Sequence, residues 1–178
     1  VVVWGAGGVG LSAIMAASLA GAAPIIAIDR TPSKGELARS FGATHALVDG
    51  PAVADQVREL TDGRGADHVF EAVGSPSVQE RALGAVRPGG TLVLVGIAPM
   101  DSATNLPGAV LTRQEKTVTG SYYGTTNTTS DFPLLAALYL RGQLALDRLV
   151  SKRFALEQIN EAYAEMLGGE TARGVIVL

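Results

Sequence analysis

The sequence predicts an α/β fold: a doubly wound, mostly parallel six-stranded sheet with helices on both faces, extended at its C-terminus by helices and short strands. Three observations carry this. Apolar, β-rich runs alternate with helical patterns for most of the length. Several of those runs, such as "TLVLV", are near-continuous Val and Leu without polar alternation, as strands buried on both faces read. The glycine-rich stretch "GAGGVG" stands between the first apolar run and the first helical pattern.

The elements follow in order. Val1–Trp4 is the first strand. A helix is predicted over Val9–Leu19 because Leu11, Ile14, Met15, Ser18 and Leu19 fall at helical spacing on one face. A strand at Ile25–Ile28 leads to a helix at Lys34–Phe41, and a strand at Ala46–Val48 to a helix at Ala52–Leu60. "DGRG", Asp62–Gly65, punctuates the chain before the strand His68–Val73. The helix Val78–Val86 stops at "RPGG", and strands follow at Thr91–Val95 and Thr117–Tyr122. After Gly124 the polar stretch "TTNTTSD" precedes a helix near Phe132–Arg141, then "LVSKRFAL", a helix near Leu156–Leu167 and a last strand in "RGVIVL". The expected division is a sheet domain over 1–124 and an extension over 125–178. Because the sequence opens and closes on strand-like apolar runs, it is expected to be part of a longer polypeptide.

Composition narrows the function classes. With 178 residues, 47% apolar and 17% charged, the chain supports one well-buried core. A net charge of −3 gives no electrostatic basis for a nucleic-acid partner. No apolar run approaches the roughly 20 residues of a membrane span, and no basic-then-apolar leader is visible, so a cytoplasmic protein is expected. Cysteine is absent, which excludes thiolate chemistry and leaves His45 and His68 as the good nitrogen ligands. They lie far apart in the sequence without a ligand pattern around them. Both are expected to be ordinary strand residues, and no metal is expected in this chain.

Gly5-Ala6-Gly7-Gly8-Val9-Gly10 satisfies G-x-G-x-x-G with a strand before it and a helix after it. The first glycine permits a tight turn, the second lets backbone approach a pyrophosphate, and the third lets helix and strand pack closely. Free N–H groups and the positive end of the helix would face the phosphates. Asp29 ends the second strand near the roughly 20-residue offset of an acid that binds a ribose 2′-hydroxyl. A carboxylate there repels a 2′-phosphate and favours NAD over NADP. Arg30 beside it is a candidate phosphate contact, and a simple turn or cap role for Asp29 is the plain alternative.

Four stretches, "GAGGVGLSAI", "DRTPSKGELARSFGAT", "GRGADHVFEAVGS" and "VRPGGTLVLVGI", together resemble the medium-chain dehydrogenase/reductase superfamily in its zinc-type alcohol dehydrogenase branch. "GSYYG" and the C-terminal stretch extend the resemblance over essentially the whole chain, and Gly5 suits the zinc-dependent branch. The resemblance implies a Rossmann cofactor-binding domain for NAD(H). It places Gly5, Gly7, Gly8, Val9 and Gly10 at the pyrophosphate, and Asp29 and Lys34 at the adenosine ribose. It places Ala72, Val73 and Gly74 along the adenosine side, and Val95, Gly96 and Ile97 beneath the nicotinamide. Ser121, Tyr122 and Tyr123 supply a second carboxamide contact, and Arg173 reaches back to the pyrophosphate. It further implies a homodimer paired through the edge strand Thr117–Tyr122. The branch's catalytic zinc ligands and four-cysteine structural site are not in this sequence, so the chain alone is expected to be inactive, with no catalytic residue of its own. A stand-alone NAD-binding sensor is the alternative from another class, and a methyltransferase with a similar glycine loop is disfavoured by the other motifs. The substrate alcohol is not legible.

Overall fold

The computed structural model describes residues 1–169 and 172–178. Six strands form one parallel sheet: β1 (Val2–Trp4), β2 (Ile26–Asp29), β3 (His45–Val48), β4 (Ala66–Glu71), β5 (Val86–Leu94) and β6 (Thr117–Gly120). Their spatial order is β3-β2-β1-β4-β5-β6. The chain therefore reverses its direction of growth between β1 and β4, and the carboxyl ends of these two strands open a crevice. The predicted doubly wound fold is the observed one.

Alternate residues of β1 enter opposite cores, as the two-residue period of a strand requires. Val2 and Trp4 join Ile26, Ile28, Val69 and Leu92 against helices α3 (Val53–Glu59) and α4 (Pro76–Ala85). Val3 and Ala27 join Leu11, Ile14 and Met15 of helix α1 (Gly8–Leu19) and Ala38 of helix α2 (Lys34–Ser40) on the other face. Each of the Val, Leu, Ile and Met side chains among them contributes about 1.5–3 kcal/mol by leaving water. Double-faced burial explains why polar alternation is absent from these strands.

Local boundaries differ from the sequence reading. Ser18 and Leu19, expected on the packed face of α1, are exposed in its last turn, where Ser18 lies against the turn at Gly42 rather than in the core. β4 stops at Glu71, so Ala72 and Val73 lie in the turn beyond it. Val95, Ser121 and Tyr122 likewise follow their strands. Arg87–Gly90 lie within β5, at the irregularity in its pairing with β4, where the partners step from Ala66–Val86 to His68–Thr91. A short helix α5 (Gly108–Gln114) precedes β6 where no helix was expected.

The polar run before the sixth helix is its cap. Helix α6 spans Thr128–Leu140, and Asn127 Oδ1 accepts from Thr129 N at 3.1 Å. Asp131 Oδ2 returns the favour by accepting from Asn127 N at 2.9 Å. The side chains thus satisfy donors that a helix start leaves without intrahelical partners. Beyond α6, Leu144 and Leu149 enter the core beside Met15 and Phe41, so part of the extension packs on the main sheet's own helices. Strands β7 (Lys152–Ala155) and β8 (Gly174–Val177) form a separate parallel pair with helix α7 (Ile159–Gly168) between them in sequence.

Candidate functional site

The glycine loop links β1 to α1 at the crevice. Gly5 has φ +96°, and its N–H donates to Ile28 O at 2.7 Å, tying the turn to β2. A Cβ on Gly10 would stand 1.7 Å from Gly5 O, so only glycine lets α1 approach the turn this closely. Gly7 is different. Among the described residues no atom beyond its chain neighbours lies within 4 Å of where its Cβ would be. No contact among these residues demands a glycine there, and the space faces the cleft. The first intrahelical bond runs from Leu11 N to Gly7 O at 2.8 Å, so the N–H groups of Gly8, Val9 and Gly10 precede the ladder. At Gly8 a Cβ would meet Ala172 O at 2.9 Å and Arg173 Nη2 at 3.5 Å, which places the Arg173 guanidinium beside this helix start. The Val9 side chain points outward and is exposed.

Asp29 braces this loop. Its Oδ2 accepts from Ala6 N at 2.8 Å and its Oδ1 from Thr31 N at 2.9 Å. Lys34 Nζ stands 3.7 Å from Oδ2. Gly5, Gly7, Asp29, Arg30, Lys34, Ala72 and Val73 line one cleft of about 490 Å³. The sequence reading missed its far wall, formed by Trp4, Asp49 and Arg81. There Arg81 Nη2 donates to Asp49 Oδ2 at 2.7 Å, and the guanidinium carbon lies 6.0 Å from the Trp4 ring centre. The indole Nε1 is buried without a hydrogen-bond partner among the described residues.

Gly74, Val95, Gly96, Ile97, Ser121, Tyr122 and Tyr123 do not line that cleft. They gather at the carboxyl ends of β4, β5 and β6. Gly74 and Gly96 meet backbone to backbone: a Cβ on Gly96 would lie 2.1 Å from Gly74 N, and one on Gly74 would lie 2.4 Å from Ile97 O. Ser121 N donates to Leu94 O at 2.9 Å, while Ile97, Tyr122 and Tyr123 are exposed. Glu71, also missed, is fully buried at the end of β4. Its Oε1 accepts from Val73 N at 2.7 Å and Gly74 N at 2.8 Å. The signal for it was a lone acid inside the apolar run "HVFEAVG".

Among the described residues no group of three or more His, Asp or Glu side chains could hold a metal ion. His45 lies on the edge strand β3, its Nδ1 2.9 Å from Thr44 Oγ1, and His68 lies on β4. No helix among these residues is long and apolar enough to cross a membrane.

Comparison with known proteins follows this geometry. The family described as zinc-binding dehydrogenase matches residues 8–141. An NDMA-dependent alcohol dehydrogenase of Amycolatopsis methanolica is 41% identical over 179 residues, covering 99% of this chain and 48% of that protein. The crystal structure of an alcohol dehydrogenase zinc-binding domain protein from Burkholderia ambifaria matches with TM-score 0.93 at 37% identity, over 99% of this chain and 48% of that one. Benzyl alcohol dehydrogenase from Acinetobacter calcoaceticus matches with TM-score 0.92 at 34% identity, over 98% and 48% respectively. The chain spans about half the length of these relatives.

Proposed function

Because the chain belongs to the zinc-binding dehydrogenase family, we propose that it is the NAD(H)-binding part of an alcohol dehydrogenase. The observation that carries this is the empty volume over Gly7, a glycine that no contact among the described residues explains. A pyrophosphate laid there meets the unpaired N–H groups and positive end of α1, with the Arg173 guanidinium beside Gly8. The cleft fits the group.

Bound NAD supplies the hydride acceptor, and NADH the hydride donor, for alcohol and aldehyde respectively. This chain's residues bind and orient. Asp29 keeps lone pairs beyond its two backbone bonds and offers them to the adenosine ribose, with Lys34 alongside. Val73, half exposed at the turn after β4, and Arg30 stand on the cleft wall for the adenine. Val95, Gly96, Ile97 and Ser121–Tyr123 form the nicotinamide end. The described residues offer no donor set for zinc, and no step here runs through a metal. On this reading the ligands of the family's metal belong to the half of the parent protein outside this chain, and the exposed apolar residues of α6, such as Phe132 and Leu134, are surfaces for that half to cover. The chain by itself then turns over no alcohol.

The testing experiment is a titration of the chain with NADH and separately NADPH, following nicotinamide fluorescence. Saturable NADH binding, tighter than NADPH by about tenfold, is expected from a free carboxylate at the ribose. Binding of neither cofactor, or turnover of ethanol by the isolated chain, overturns the proposal.

β6 stands at the edge of the main sheet with one side of its backbone unpaired. We place the two-fold contact of a homodimer along this strand. Sedimentation velocity should then show a species of twice the chain mass, and a monomer at every concentration excludes the contact.

A further inference from the structure

We infer that Glu71 is a positioning residue that holds the two ends of the cofactor cleft in register. Its side chain and its own carbonyl serve different turns. The carboxylate Oε1 accepts from Val73 N and Gly74 N, which shapes the turn after β4. The main-chain oxygen of the same residue accepts from Val95 N and Gly96 N, each at 2.8 Å, which shapes the turn after β5. The glycine-to-glycine contact of Gly74 and Gly96 leaves no slack between the turns.

The carboxylate is itself held. Gln79 of α4, almost completely buried, donates from Nε2 to Glu71 Oε2 at 3.4 Å, and its Oε1 accepts from the Thr104 hydroxyl. A carboxylate withdrawn from water is destabilised unless such donors surround it. Three N–H donors converge on the Glu71 carboxylate, two of them from the turn it positions. A purely apolar residue would fill the space but leave Val73 N and Gly74 N without acceptors. The consequence for a dinucleotide rests on the function proposed above: adenosine meets the first turn, nicotinamide the second, and one residue sets the distance between them. The coupling of the two turns stands on geometry alone.

The test uses the wild-type chain, Glu71→Gln and Gln79→Leu. Gln at position 71 preserves volume but sets an amide NH₂ group against that of Gln79. Leu at position 79 removes the donor to Oε2 within a helix and supplies a second reading should Glu71→Gln fail to fold. Amide hydrogen exchange reads the coupling. The amides of Val73, Gly74, Val95 and Gly96 should be slow in the wild type and accelerate together by about tenfold or more in the variants, as loss of a charged hydrogen-bond acceptor implies. Those of Val3 and Ala27 should hold still. Acceleration confined to Val73 and Gly74 overturns the coupling. Titrations read the positioning. NADH affinity should fall about tenfold in the variants, while AMP and reduced nicotinamide mononucleotide, each using one turn, change less than about twofold. AMP falling in step with NADH overturns the registering role. A wild-type chain that binds no NADH defeats the proposed function and the dinucleotide consequence together, and the amide arm still decides the coupling.

Discussion

Gly7→Ala and Gly10→Ala, single methyl groups added three residues apart, are expected to fail in opposite assays. At Gly10 the new Cβ would stand 1.7 Å from Gly5 O, and that oxygen belongs to a turn whose own amide is bonded to β2. Neither partner is a flexible side chain. Helix α1 must lift off β1, opening the core around Leu11 and Ile14. A loss of about 4 kcal/mol or more is expected, at the extreme of single substitutions. Urea or thermal unfolding will show it as a large fall in midpoint or as no soluble protein. At Gly7 the methyl enters open space, and the backbone there, φ −85° and ψ −171°, is open to alanine. Stability should change by no more than about 1 kcal/mol, the usual range for an N-cap exchange. NADH binding should nonetheless weaken by about fiftyfold or more, because the methyl occupies the pyrophosphate's place against the helix start. Gly7→Ala that binds NADH normally would remove the main support for the proposed function.

Asp29→Ala is expected to lower NADH affinity by about tenfold and to narrow the preference over NADPH. Two effects combine. The ribose loses its acceptor, and Ala6 N and Thr31 N lose theirs, so the glycine loop is less well held. Leaving such donors unpaired costs about 1–3 kcal/mol, which an unfolding titration will register. Asp29→Asn separates the effects. Its amide oxygen still accepts from one backbone N–H and recovers part of the stability, yet without negative charge it no longer repels a 2′-phosphate. NADPH should therefore gain on NADH in the asparagine variant while stability stays closer to wild type. If both variants keep the wild-type preference, cofactor choice lies with Arg30 or the Asp49–Arg81 wall instead.

The sheet was legible because its central strands are buried on both faces, and continuous apolar runs such as Val1–Trp4 and Leu92–Leu94 leave little ambiguity. The glycine loop was legible because close packing and ligand approach leave the same residue type at fixed spacing. What escaped notice had physical reasons. Helix α5 is a single short stretch after Pro107 with no buried residue, so no periodic face announces it. The start of α6 is polar because its cap side chains bond its own backbone, and polar runs read as loops. Glu71, Gln79, Asp49 and Arg81 act through partners 2 to 32 residues away. Their residue types are mostly exposed in proteins, so sequence alone assigns them to solvent. Trp4 read as core, which it is, and only the fold shows that it also backs a cleft.

The meeting of Gly8 and Arg173 has a bearing on how the molecule is made. Within this stretch of sequence the helix start at Gly8 is synthesised long before Arg173, with β2 through β6 between them. A nascent chain can assemble β1 through β6 while its glycine loop still lacks the guanidinium. Ligand capture that uses both groups is therefore a late event, arriving after the core has formed. Truncation just before Ala172 would take only Ala172 from the rim of the core around Val3, Leu11 and Ile14, while removing the guanidinium that stands beside Gly8.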